Sequence, residues 1–93
     1  MSAVHFQVGA RRFRLAEKES LELEQRLRAL DDTVAEARDL ADRIERARPR
    51  GHTVYPASRE LAALRDGLGG MESSLSPAGL ELLEQVVGEI SRI

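Results

Sequence analysis

A chain of 93 residues with a formal net charge of −2 is sized for one small domain, and it lacks the basic excess of a protein built to wrap nucleic acid. It has no cysteine, which excludes disulfides, thiolate metal sites and thiol catalysis. Its hydrophobic share of 42% includes only three aromatics, Phe6, Phe13 and Tyr55, so the core has to be built from Leu, Val, Ile and Ala.

Val4, Phe6 and Val8 alternate with His5 and Gln7, the period of a half-buried strand. Gly9-Ala10 follows, and Gly at the first central position suits a two-residue II′ turn. That turn fixes the register: Val8 opposite Arg11, Gln7 opposite Arg12, Phe6 opposite Phe13, His5 opposite Arg14 and Val4 opposite Leu15. One face of the hairpin is then apolar, and the other carries His5, Gln7, Arg12 and Arg14. A lone hairpin is marginal in water, so helices must cover the apolar face.

The pattern turns helical from Ala16 to Leu30, with Leu23, Leu27 and Leu30 on one stripe and Leu21 on the charged side. Glu22–Arg26 and Glu24–Arg28 are i,i+4 pairs. Asp31-Asp32 breaks the helix, and Thr33 with Glu36 reads as a capping box for a second one ending near Ala47. The apolar face of that helix is Val34, Ala37, Leu40, Ala41, Ile44 and Ala47, with Asp39–Arg43 and Asp42–Arg46 expected as outer pairs. Pro49 and Gly51 end it, and His52 to Tyr55 reads as a short third strand. A third helix is expected from Ala57 to about Leu68, closed by Gly67, Gly69 and Gly70. Ser76-Pro77 opens the last helix, as N-cap and first helical residue. There Leu80, Leu82, Leu83, Val86, Val87, Ile90 and Ile93 fill an arc of roughly 160°, wider than an ordinary surface helix presents. Gly88 falls on the polar side.

The predicted fold is a single α+β domain over 1–93, ordered β-β-α-α-β-α-α: a hairpin and a short third strand packed on four helices. Shifting the chain by 41 residues lays Ala16 on Ala57, Glu19 on Glu60, Leu23 on Leu64 and Leu27 on Leu68. This suggests a β-α-α duplication, which would place the strands preceding the two helix pairs side by side.

No catalytic, metal or cofactor motif stands out. His5 and His52 lack a third ligand, and Gly67-Leu68-Gly69-Gly70 follows a helix and has no P-loop Lys. No segment is long and apolar enough to span a membrane, and no apolar leader opens the chain, so the expectation is a cytoplasmic protein without membrane contact. Arg outnumbers Lys thirteen to one, a mark of GC-rich codon usage that points to a bacterial source. Two features remain. Arg11, Arg12, Arg14 and His5 on the hairpin, with Arg46, Arg48, Arg50 and His52 at the second turn, form a basic cluster. The broad apolar arc of the last helix invites association, with Leu21, Leu82, Val86, Ile90 and Ile93 as candidate contacts. The expected function is a non-enzymatic protein-interaction or oligomerisation domain, a homodimer or the partner of another protein. A small nucleic-acid-binding regulator using the hairpin arginines is the alternative, against which the near-neutral charge weighs.

The run from Val4 to Leu30, strand-Gly-strand-helix, resembles the N-terminus of cell-division accessory proteins of the ZapA type. The likeness covers under a third of the chain. The Ala-rich second helix and the 53–93 segment depart from that family's long coiled-coil ending, so no function is carried across.

Overall fold

The computed structural model describes residues 3–30 and 35–92. β1 (Val4–Val8) and β2 (Arg11–Leu15) form the hairpin in the expected register, Val4 opposite Leu15 through Val8 opposite Arg11. Gly9 has φ +61° and no non-glycine residue among those described has positive φ, so the turn is of the II′ kind, with positive φ at its first central residue alone. β3 (Thr53–Val54) is shorter than expected and pairs with β1 in parallel, His5 with Thr53 and Phe6 with Val54. The sheet order is β2-β1-β3, so the first strand is the central one.

The helices are α1 (Glu17–Ala29), α2 (Ala35–Ala47), α3 (Leu61–Gly69) and α4 (Pro77–Arg92). α4 lies on β1 and β2, α2 lies beside β3, and α1 packs against α2 and α3. Val4, Phe6, Val8, Phe13, Leu15 and Val54 point into this helical layer and are buried. His5, Gln7, Arg12 and Arg14 alternate with them and stay in contact with solvent, because successive side chains of a strand point to opposite faces. The sheet therefore has one covered face and one open face.

α2 buries Ala37, Leu40, Ala41, Ile44 and Ala47, as its pattern predicts; Asp31, Asp32, Thr33 and Val34, and with them the expected capping box, lie outside the described residues. α3 starts later than expected. A 3-10 turn over Ser58–Glu60 precedes it, and the Glu60 carboxylate reaches back to accept the Ala57 N–H at 2.7 Å. Gly67 lies inside α3 rather than at its end: a Cβ there would stand 2.9 Å from Leu23 Cδ1, so its missing side chain lets α3 approach α1. Ser76 caps α4 as predicted, its Oγ accepting the Gly79 N–H at 3.3 Å.

Of the two strands that precede the first helix pair, β1 lies beside β3 and β2 lies on the far side of β1. Other parts of the internal similarity share one geometry. Ala16 and Ala57 are both extended, at φ −62°, ψ 158° and φ −73°, ψ 159°. Each donates its N–H to the Glu three residues on, Glu19 at 3.2 Å and Glu60 at 2.7 Å. Leu23 and Leu64, and Leu27 and Leu68, are fully buried.

Candidate functional site

The structure sorts the arginines of the predicted basic cluster by what each one meets. Arg11 is committed: its guanidinium lies 4.9 Å from the Phe13 ring centroid and 3.4 Å from Glu81 of α4. It sits at the hairpin end on the Phe13 side, away from Arg12 and Arg14. Arg48 is committed more deeply. It donates to Ser20 Oγ at 3.0 Å and forms an ion pair with Glu24, both charged side chains being largely buried. Ser20 Oγ in turn donates to the Glu17 carbonyl. These bonds tie the 3-10 turn Arg48–Arg50 to α1 and fix the place where the chain leaves α2.

Arg12, Arg14, Arg46 and Arg50 have no carboxylate partner among the described residues. Arg12 and Arg14 stand on the open face of the sheet with His5 and Gln7. Arg12 Nη2 crosses β1 to donate to Thr53 Oγ1 at 2.6 Å, linking the hairpin to β3. Beyond β3 lies an open groove of about 630 Å³, lined by Arg43, Arg46, Pro49, Arg50, His52 and Tyr55, with Ala47, Thr53 and Val54 at its base. Among the described residues no acidic side chain lines it.

The groove keeps its shape for local reasons. Gly51 adopts φ +65°, a conformation that favours glycine, and turns the chain from the end of α2 into β3. Arg43 donates to the Tyr55 carbonyl at 3.0 Å and pairs with Glu60, which is 3% exposed. Arg43 thus holds the wall and is not free. The expected Asp39–Arg43 and Asp42–Arg46 pairs are replaced by contacts between elements: Arg43 turns to Glu60, and Asp42 pairs with Arg28 at 3.1 Å. The hydrogen bonds that Arg28 donates to the Asp42 and Glu24 carboxylates raise its pKa above the ordinary value. A second depression beside Arg43 and Arg46 is lined by charges of both signs, Asp39, Asp42 and Glu60 with Arg43, Arg46 and Arg59.

The candidate oligomer contacts divide in the same way. Leu82 and Val86 are fully buried in the chain's own core, so they are not free to meet a partner. Their burial follows from α4 covering both hairpin strands. Ile90 is half-buried against the core, and Ile93 lies outside the described residues. Leu80 and Val87, which the arc included, remain 38% and 45% exposed, and Leu83 is half-buried beside them. The sequence 80, 83, 87, 90 runs at spacings of three, four and three along one flank of α4. The opposite flank is polar, with Glu81 on Arg11, and Gln85 and Glu89 close to Gly9. Leu21 is 40% exposed on α1, in a shallow depression with Lys18, Glu22, Gln25 and Arg26.

Among the described residues no group of three or more His, Asp or Glu side chains is placed to hold a metal ion, and no helix is long and apolar enough to cross a membrane. Comparison with protein families, with curated proteins and with solved structures finds no match.

Proposed function

We propose that this chain is a non-enzymatic interaction domain that pairs with a second copy of itself along α4. The observation that carries this reading is the flank Leu80-Leu83-Val87-Ile90. Apolar residues at alternating spacings of three and four form the seam by which two helices pack side by side. Two of the four remain substantially exposed, while the residues behind them, Leu82 and Val86, already fill the core. The flank is therefore continuous with the hydrophobic interior and is held rigidly by it. A two-fold pairing would set this flank against its own copy, the commonest closed arrangement. Removing the remaining exposed surface of Leu80 and Val87 would stabilise the pair by roughly 1 kcal/mol for each residue.

The test is light scattering after size exclusion over a concentration series. The expected result is a dimer mass that dissociates on dilution, with Val87→Glu and Leu80→Glu remaining monomeric and folded by circular dichroism. A monomer at every concentration up to the solubility limit would contradict the reading.

A further inference from the structure

We infer that the groove between the end of α2 and β3, together with the open face of the sheet, binds single-stranded nucleic acid. The surface is separate from the α4 flank and does not depend on it. Four observations converge on this ligand. The groove is lined by Arg46, Arg50, His52 and the anchored Arg43, and no carboxylate among the described residues lines it. Arg46 and Arg50 have no ion-pair partner among the described residues, although acidic residues outnumber basic ones in the chain as a whole. Tyr55 is 64% exposed, the most exposed of the large hydrophobic residues among those described, and stands at the groove wall, where a base can stack on its ring. The positive surface continues beyond the groove: Thr53 lines the groove and also receives Arg12, and Arg14 lies on the same open sheet face.

That extent separates a strand from a free nucleotide. β2 lies two strand spacings from β3, roughly 10 Å, so a ligand that occupies the groove and also meets Arg12 and Arg14 needs several phosphates in a row. The open shape of the groove allows the strand to pass through rather than end there. Arg46 and Arg50 take the phosphates, Tyr55 takes a base, and Arg12 and Arg14 take the phosphates that follow. Stacking on one aromatic ring and charge contacts to the backbone read no sequence, so binding is tolerant of base identity.

The test uses the full chain and fluorescence anisotropy of fluorescein-labelled uridine and thymidine strands of about ten nucleotides, a length within the range of known single-strand sites. Binding at low salt is expected for at least one of the two, and their ratio tells RNA from DNA. Arg46→Ala and Arg50→Ala should each weaken it about five- to tenfold and flatten the log–log salt slope by about 0.7, the value for one lost phosphate contact on a single strand. Tyr55→Ala should weaken it about tenfold with the salt slope unchanged, because stacking releases no counterions. Arg65→Ala, which removes a solvent-facing arginine paired with Asp66 on α3, should change neither. Val87→Glu should bind as the parent does, which keeps this test apart from that of self-pairing. The inference is overturned by an absence of binding at low salt, by equal losses in Arg65→Ala and Arg50→Ala, or by uridine monophosphate binding as tightly as the strand.

Discussion

Glu60 shows how much one buried carboxylate can organise. It accepts the Ala57 N–H, pairs with Arg43, and through Arg43 fixes the Tyr55 carbonyl. Glu60→Ala should lower stability by about 3 kcal/mol, the usual cost of breaking a buried pair and leaving a charge and an N–H behind. Urea unfolding monitored by circular dichroism would read this as a lower midpoint at an unchanged slope; a change below the error of the midpoint would show that the pair is dispensable. None of this was visible in the sequence. A helical i,i+4 rule found Glu22–Arg26 and Glu24–Arg28, because both partners lie on one helix. The same rule assigned Arg43 to Asp39 and left Arg48 in a free basic cluster. Glu60 and Glu24 come from other elements, and only the packing of those elements brings them to the arginines.

Elements were easier to read than their contacts, for physical reasons that differ from one element to the next. The hairpin was legible in full because alternation and turn chemistry both act locally and agree. Gly9→Ala should cost about 1–2 kcal/mol from positive φ alone, and a Cβ there would also stand 2.5 Å from Glu89 Oε1. Gly88 is the counterpart on α4. It lies in the helix interior with open space around it. Gly88→Ala should stabilise by about 0.8 kcal/mol and raise Tm by about 3–6 °C in a calorimetric scan; a lower Tm would mean that the position meets something in solution that the monomer does not contain. α3 was read one turn too long. Its apolar spacing starts at Ala57, but the Glu60 carboxylate tightens the opening residues into a 3-10 turn. β3 was found by its β-prone residues, while its parallel partner was not, since pairing across two intervening helices leaves no local mark.

At the scale of the whole molecule, the covered and open faces of the sheet separate two kinds of surface. Behind the covered face α4 presents an apolar flank, and around the open face stand Arg12, Arg14, Arg46 and Arg50, which have no carboxylate partner among the described residues. The sequence listed the residues of both without telling them apart. Leu82 and Val86 belong to the same arc as Leu80 and Val87, and only the position of α4 on the hairpin decides which of them are spent inside. Arg11 and Arg12 are neighbours in sequence, yet the strand's alternation sends them to different faces and different partners. The two surfaces predict separable behaviour. Raising the salt should release a bound nucleic-acid strand while leaving an apolar pairing of copies in place, which sedimentation at low and high salt would resolve.

The central position of β1 has a consequence for synthesis. β1 and β2 can close as soon as both leave the ribosome, but the other edge of β1 has no partner until Thr53 and Val54 follow. At ordinary translation rates that edge stands open for roughly two to ten seconds. An unpaired strand edge accepts whatever compatible segment arrives, and on a crowded message the next nascent copy carries the same segment. Exchange of β3 between neighbouring copies would yield an intertwined dimer. Such a species would persist in Val87→Glu, would not dissociate on dilution, and would become more frequent as ribosomes are loaded more densely on the message.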